Sequence, residues 1–119
     1  MKTVLTLLVI SLAIQTTSPS KRRQGVLEVV IYKINKEYDG DMKRVLNQVR
    51  SAVYEMPGFV SYDTFSSSDK ELVYMDLVKW ESAEEAKAAA LKVTQLEEFT
   101  EFEKAISDIM IMDHLEFYH

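Results

Sequence analysis

The sequence predicts an α+β domain with the element order β-α-β-β-α-β, the ferredoxin-like antiparallel arrangement. Three observations support this fold. Four segments are rich in β-branched residues or alternate between apolar and polar residues, longer segments between them have apolar residues at helical spacing, and short clusters of Gly, Pro and Ser separate them. The chain has 119 residues, of which 47% are hydrophobic and 28% charged, a composition that fits one globular domain and excludes a second.

Four segments are predicted to be strands. Residues 26–34 are apolar at both alternating sets of positions except at Glu28 and Lys33, which indicates a strand covered on both faces. Residues 59–66 and 71–80 form an antiparallel hairpin around the turn residues Ser67–Lys70. Residues 109–118 alternate again and close the chain as the fourth strand.

The helical segments follow from apolar residues spaced three or four positions apart. The first predicted helix runs from Asp41 to the break at Met56–Gly58, and its apolar stripe is Met42, Val45, Leu46, Val49 and Val53. A second helix begins at Ser82, which forms a capping box with Glu85. A further run covers residues 96–107, so the second helical segment is broken in two.

The hairpin register decides which side chains share a face of the sheet. A turn centred on Ser68-Asp69 gives the pairs Ser61 with Asp76, Asp63 with Tyr74 and Phe65 with Leu72 on one face. The opposite face then carries Val60, Tyr62, Thr64, Val73, Met75, Leu77 and Lys79. This second set is too apolar for a solvated face, so we expect a homodimer in which two sheets pack face to face.

Composition excludes several partners and cofactors. With 14 Lys and Arg against 19 Asp and Glu, the chain lacks the basic surface that nucleic acid requires. The absence of Cys excludes thiolate catalysis and iron–sulfur clusters, and the three Gly provide no Gly-rich phosphate loop. Asp113, His114 and Glu116 cannot converge on one face of a strand, so no metal site is predicted. We therefore expect no metal, no iron–sulfur cluster and no cofactor held by a Gly-rich phosphate loop.

The first 20 residues have the layout of a secretory signal peptide. Lys2 precedes an apolar run from Val4 to Ile14, and a polar stretch follows to Ser20. The run is shorter than the roughly 20 residues of a membrane-spanning helix, so no stable membrane anchor is expected. This predicts an exported protein, periplasmic or secreted, with residues 21–25 as a linker and 26–119 as the domain. The alternative is a cytoplasmic protein in which residues 1–20 pack on the domain.

An ordered set of motifs carries a family resemblance. The first helix ends at Met56–Phe59, the third strand ends in Leu77–Ser82, and the next helix begins with Ala83–Ala86. In this order the motifs resemble the antibiotic biosynthesis monooxygenase family, a branch of the dimeric α/β-barrel superfamily, over residues 26–118. The resemblance implies a ferredoxin-like monomer that pairs into a dimeric α/β barrel, with a pocket between sheet and helices. Some members oxygenate anthrone-like or quinol substrates with O₂ and without flavin, metal or other cofactor.

The resemblance carries over residue by residue only in part. Trp80 corresponds to the tryptophan that lines the pocket of the polyketide-oxidising members, and Asp76 stands where they have an asparagine. Their tyrosine six residues after the tryptophan corresponds to Ala86. Haem-degrading relatives place a tryptophan and a histidine on the helices after the third strand, and residues 86–105 contain neither. The resemblance therefore disfavours haem degradation.

Asp76 and Trp80 are the candidate catalytic residues. A cofactor-free oxygenation needs the substrate as its anion, which gives an electron to O₂, so the protein must remove a proton and exclude water. Asp76, desolvated beside aromatic rings, would have a raised pKa and act as the base, while Trp80 stacks on a planar substrate. The candidate substrate-binding residues are Tyr74, Asp63, Ser61 and His114. Alternatively, the aromatic residues belong to the core and both aspartates are satisfied by neighbouring donors.

Two functional hypotheses follow. The first is a cofactor-independent monooxygenase that uses O₂ on a small aromatic phenol, quinol or anthrone-like substrate. The second is a non-catalytic dimeric barrel that binds a small hydrophobic ligand or acts in a stress response, favoured by Ala86 and by the expected export. Turnover that depends on Asp76 distinguishes the two.

Overall fold

The segments rich in β-branched residues form a four-stranded antiparallel sheet in the computed structural model, which describes residues 25–118. The strands are β1 (Val26–Ile34), β2 (Phe59–Ser66), β3 (Val73–Trp80) and β4 (Ile106–Glu116), and their order in the sheet is β2-β3-β1-β4. The predicted α+β ferredoxin-like fold is confirmed. The predicted signal peptide, residues 1–20, lies outside the described residues.

The helices follow the predicted spacing of apolar residues. Helix α1 (Met42–Val53) buries the predicted apolar stripe. Helix α2 (Ala83–Val93) begins at Ser82, whose hydroxyl accepts a hydrogen bond from the Glu85 backbone N–H over 3.2 Å. A short 3₁₀ turn precedes helix α3 (Thr100–Ala105), so the last helical segment is interrupted as predicted. Strand β4 begins directly after α3, three residues earlier than the sequence predicts.

The hydrophobic core lies between the helices and the inner face of the sheet. Tyr32 of β1 and Trp80 of β3 are its largest fully buried side chains. The Tyr32 ring meets Phe102 of α3 edge-on, with ring centroids 5.4 Å apart. Such edge-to-face pairs add to the free energy that burial itself supplies, so this contact holds α3 against the centre of the sheet.

The predicted register of the hairpin is wrong. In the structure Thr64 pairs with Asp76, and Asp63 pairs with Leu77 instead of Tyr74, a shift of three positions. The physical reason lies in the connection, which extends to Leu72 instead of turning at Ser68-Asp69. Leu72 adopts a left-handed backbone conformation with φ of 64°, and its carbonyl accepts a hydrogen bond from Ile34 N–H over 2.9 Å.

A shift by an odd number of positions moves side chains to the opposite face of the sheet. Ser61 and Asp63 therefore lie on the outer face, away from Asp76, whereas Tyr62 and Thr64 lie on the inner face. The prediction that placed Ser61 and Asp63 beside Asp76 is corrected on this point.

The outer face of the sheet is strongly apolar and carries no helix of the described chain. Its centre consists of Leu27, Val29 and Ile31 of β1, Val73, Met75 and Leu77 of β3, and Ile111, Asp113 and Leu115 of β4, of which only Asp113 is polar. All of these side chains are half-buried or exposed. Among the described residues, no helix is long and apolar enough to span a membrane.

Gly58 occupies the turn between α1 and β2 with φ of 81°, a conformation that favours glycine. A Cβ at this position would also lie against the carboxylate of Glu85, whose side chain accepts a hydrogen bond from the Ser82 hydroxyl over 3.0 Å. We expect Gly58→Ala to lower the free energy of unfolding by about 1–2 kcal/mol, measured by urea denaturation.

Gly40→Ala is the matched control for that change. A Cβ on Gly40 would meet no atom within 4 Å, so its free energy of unfolding should change by less than about 0.5 kcal/mol. Equal losses in the two variants would contradict the role assigned to Gly58.

Candidate functional site

A cavity of about 320 Å³ lies between the inner face of the sheet and the three helices. Its walls are mostly apolar and include Val30 and Val78 of the sheet, Val49 and Val53 of α1, Ala89 and Val93 of α2, and Phe102 of α3. Ligand pockets commonly enclose about 300–1,000 Å³, so this cavity fits a small molecule of a few rings. A larger and more open depression, of about 650 Å³, lies along the exposed side of α1 and is lined mostly by polar and charged residues, among them Asp41, Arg44 and Gln48.

The cavity exists because the facing helix α2 carries small side chains. Ala89 and Ala90 line the cavity from α2, and neither extends beyond a methyl group. Interiors are normally packed without voids of this size, since each missing contact is lost outright. Small residues opposite a sheet that is otherwise well packed therefore leave room for a ligand.

Asp76 is the polar centre of the cavity wall, and it is only 4% exposed. Its Oδ1 accepts hydrogen bonds from Tyr32 Oη and Thr64 Oγ1, each over 2.9 Å. Its Oδ2 accepts a hydrogen bond from Tyr62 Oη over 2.7 Å. These donors come from β1 and β2, the strands on either side of β3, so the sheet register itself assembles the network.

Burial controls the ionisation of this network. Burial raises the pKa of Asp76 above its ordinary value, although the three hydrogen bonds and the nearby Arg50 partly oppose the rise. Burial and the neighbouring Asp76 also raise the pKa of Tyr32 and of Tyr62. Both phenols therefore stay neutral and continue to donate their hydrogen bonds to the carboxylate.

Arg50 supports the network from the α1 side. Its Nη2 donates a hydrogen bond to Thr64 Oγ1 over 2.8 Å, and its guanidinium carbon lies 5.1 Å from the centre of the Tyr62 ring. Thr64 thus accepts a hydrogen bond from Arg50 and donates one to Asp76. This arrangement places a positive charge one hydroxyl away from the buried carboxylate.

Trp80 forms an aromatic wall of the same cavity. It is 2% exposed, and Phe59 holds it by an edge-on contact with ring centroids 5.9 Å apart. Trp80 lies four positions after Asp76 on one strand, so both side chains face the cavity. A planar ligand bound there would stack or edge-pack against the indole.

A second carboxylate, Glu28, lines the cavity from β1. His114 of β4 is its direct partner in the sheet, and His114 Nε2 lies 3.2 Å from Glu28 Oε2. Burial raises the pKa of Glu28, whereas His114 and the indole N–H of Trp80 oppose the rise. Sequence reasoning did not select Glu28 as a site residue, although an acid that interrupts an apolar strand was the available signal.

The other predicted site residues are distributed differently. Tyr74 stacks on Tyr32 with centroids 6.0 Å apart and is not among the residues that line the cavity. Ser61 and Asp63 face the opposite side of the sheet. His114 approaches the cavity only through Glu28. The structure thus brings together two of the six predicted residues, Asp76 and Trp80, in the cavity wall.

Tyr32, Tyr62, Thr64 and Arg50 are the network residues that sequence reasoning missed. They lie on three different elements, and none has a recognisable motif of its own. Within residues 25–118, no group of three His, Cys, Asp or Glu side chains is arranged to hold a metal ion.

The raised pKa of Asp76 predicts how stability depends on pH. The folded state holds the Asp76 proton more tightly than the unfolded state, so the contribution of Asp76 to stability is full below the ordinary pKa of 3.8. That contribution is lost as the pH rises through the folded pKa. Because an amide does not ionise, we expect the stability of Asp76→Asn relative to the wild type to increase from about pH 3 to about pH 7.

Urea denaturation across this pH range measures the effect. Asp69→Asn, in the exposed hairpin loop, is the matched control. If the free energy of unfolding of Asp76→Asn minus that of the wild type stays constant or decreases as the pH rises, the pKa of Asp76 is not raised.

Comparisons with known proteins agree with this architecture. SnoaB, a cofactor-independent oxygenase from Streptomyces nogalater whose structure is that of a mutant, is 17% identical, with a TM-score of 0.63 over 81% of this chain and 93% of SnoaB. A protein from Bordetella bronchiseptica, provisionally named an antibiotic biosynthesis monooxygenase, is 15% identical, with a TM-score of 0.64 over 81% of this chain and 99% of that one. MupZ from Pseudomonas fluorescens is 10% identical, with a TM-score of 0.65 over 77% of this chain and 67% of MupZ.

At these identities the structural neighbours establish the fold alone. Comparison with curated protein sequences gives no significant match. The profile of the family described as antibiotic biosynthesis monooxygenase matches residues 26–105, and proteins of that family are generally small and dimeric. Because this match covers more than half of the sequence, the chain belongs to the antibiotic biosynthesis monooxygenase family.

Proposed function

We propose that this protein is a cofactor-independent monooxygenase that acts with O₂ on a small aromatic phenol, quinol or anthrone-like substrate. The observation that carries the proposal is the 320 Å³ apolar cavity, which joins an aromatic wall, Trp80, to the buried carboxylate of Asp76. Membership of a family described as monooxygenases supports the reaction class. The chain also resembles in fold SnoaB, which is described as a cofactor-independent oxygenase, and this is consistent with a reaction that needs no cofactor.

The proposed reaction draws all of its electrons from the substrate. Loss of a proton from an activated methylene or hydroxyl group leaves an anion, which passes one electron to O₂. The two radicals then combine to form a carbon–oxygen bond, and the resulting peroxide loses water. For a methylene substrate the balance is CH₂ + O₂ → C=O + H₂O, so one oxygen atom enters the product and the other leaves as water.

Each feature of the cavity has a part in this proposal. The valine and phenylalanine side chains exclude water, which would otherwise protonate the anion. Trp80 holds the aromatic plane. Asp76, fixed by Tyr32, Tyr62 and Thr64, presents a rigid polar group to a substrate hydroxyl or carbonyl.

A second candidate function is binding without turnover. Two observations favour it: Asp76 already accepts three hydrogen bonds, and Ala86 is buried where the polyketide-oxidising members have a tyrosine. In this alternative the cavity holds a small hydrophobic ligand and the carboxylate network serves only to order the sheet.

We also propose that two copies associate through the outer faces of their sheets and close a dimeric α/β barrel. The supporting observation is the apolar centre of the outer face, where Val29, Leu77 and Met75 stay partly accessible to solvent in one copy. An apolar surface that spans three adjacent strands is larger than a monomer normally leaves exposed. The generally dimeric state of the family is consistent with this association.

Oxygen consumption tests the proposed reaction. With anthrone or hydroquinone as substrate, we expect O₂ uptake above the spontaneous rate, because the cavity promotes formation of the substrate anion. Trp80→Phe and Asp76→Asn should each lower kcat/KM by at least about 10-fold, since both change the cavity wall.

Tyr118→Phe is the control, because this side chain is 94% exposed and is not among the residues that line the cavity. Fluorescence of Trp80, the single tryptophan of the chain, reports ligand binding separately. Quenching without any O₂ uptake would reject the oxygenase and support the binding alternative.

A charge placed at the centre of the outer face tests the dimer. We expect Leu77→Lys to halve the molar mass measured by light scattering, because a lysine cannot be desolvated between two apolar sheets. Ala88→Lys, on the exposed side of α2, should leave the mass unchanged. A folded Leu77→Lys protein that keeps the wild-type mass would place the interface elsewhere.

A further inference from the structure

We propose that Glu28 is the general base of the cavity and that His114 is the residue that positions it, an inference that rests on the proposed oxygenase function. The carboxylate of Glu28 would remove the substrate proton, and Asp76 would orient the substrate instead of ionising it. The sequence assigns proton removal to Asp76. In this proposal Glu28 removes the proton, and Asp76 orients the substrate.

The position of Glu28 gives it access to a bound molecule. Its side chain is 13% exposed and lines the cavity together with Trp80 and Asp76. In the sheet, Glu28 lies between Val78 of β3 and His114 of β4, so its carboxylate belongs to the inner face. A ligand that stacks on Trp80 would therefore lie within reach of both carboxylates.

The hydrogen bonds of the two carboxylates separate their roles. Asp76 accepts three, from Tyr32, Tyr62 and Thr64, which occupy most of its acceptor positions and hold the carboxylate in one orientation. Glu28 has His114 Nε2 at 3.2 Å, and neither that nitrogen nor the indole nitrogen of Trp80 makes a hydrogen bond of good geometry. Glu28 therefore keeps more free acceptor positions than Asp76 with which to take a proton.

The surroundings of Glu28 also suit a base. Burial and the nearby Asp76 raise its pKa, which brings a carboxylate closer to the pKa of a weakly acidic substrate and makes proton transfer more favourable. His114 and the Trp80 N–H limit that rise. The titratable groups that face Glu28 are His114 from β4, Asp76 from β3 and Glu103 from α3, which lies across the cavity.

The assigned step is a simple proton transfer. One Glu28 carboxylate oxygen takes a proton from a substrate C–H or O–H bond, and the electron pair of that bond stays on the substrate. The anion reduces O₂ and forms the peroxide, as described above. Glu28 then returns its proton to the distal peroxide oxygen, which leaves as water with the second substrate hydrogen.

Deuterium exchange into anthrone tests the proton transfer without any oxidation. Under argon in D₂O, the wild-type protein should accelerate exchange of the anthrone methylene protons, observed by NMR. We expect Glu28→Gln, which preserves the shape of the side chain, to lower this rate by about 100-fold or more while anthrone still quenches Trp80 fluorescence. Glu116→Gln, an exposed carboxylate on β4, is the matched control and should exchange at the wild-type rate.

A pH profile tests the role of His114. Since His114 lowers the pKa of Glu28, we expect His114→Asn to move the acid limb of kcat/KM to higher pH. Glu28→Asp keeps the negative charge but withdraws the carboxylate by one methylene. Its exchange rate, after subtraction of the Glu28→Gln rate, should be at least a tenth of the wild-type rate corrected in the same way. If Glu28→Gln fails to fold, Glu28→Asp takes its place in the test. Its exchange rate should then be lower than that of the wild type.

The outcomes separate this inference from the proposed function. If the exchange rate is the same in Glu28→Gln as in the wild type, or if only Asp76→Asn abolishes exchange, Glu28 is not the base. The proposed oxygenase function is not contradicted by either result. An acid limb that does not move in His114→Asn overturns the positioning role. A wild-type protein that binds anthrone but neither exchanges its protons nor consumes O₂ overturns the oxygenase and, with it, this inference.

Discussion

The burial of the Asp76 carboxylate on the inner face of the sheet constrains the rest of the structure. A carboxylate removed from water is tolerated only where donors replace its hydration, and here Tyr32, Tyr62 and Thr64 do so. These donors stand on the two strands that flank β3, so they reach the carboxylate in one register only. The hydrogen bonds that stabilise the buried Asp76 carboxylate therefore form only when all three strands are paired correctly.

The same centre explains why a cavity persists beside it. Polar groups held by hydrogen bonds cannot collapse into neighbouring space, and the alanines of α2 do not extend far enough to fill it. Trp80 and Phe102 stand at the walls without closing the gap. The result is an apolar space with carboxylates on one side, in which electrostatic interactions are stronger than in water.

The two faces of the sheet therefore have different physical roles. The inner face combines a core with a cavity and holds the polar groups Glu28 and Asp76. The outer face is apolar at its centre and carries scattered polar residues such as Asp63 and Asp113, which suits association between copies better than chemistry. β1 serves both faces, which accounts for its nearly continuous apolar sequence.

Sequence periodicity alone determined the order of the elements, the capped start of α2, and the shared face of Asp76 and Trp80, because these depend on local spacing. The hairpin register could not be predicted, since it depended on the left-handed Leu72 and a backbone hydrogen bond to Ile34. Only the tertiary structure brought Tyr32, Tyr62 and Thr64 to Asp76 and set Glu28 opposite His114. The physical reason is that contacts across a sheet join residues far apart in the chain, and their partners change whenever the register shifts.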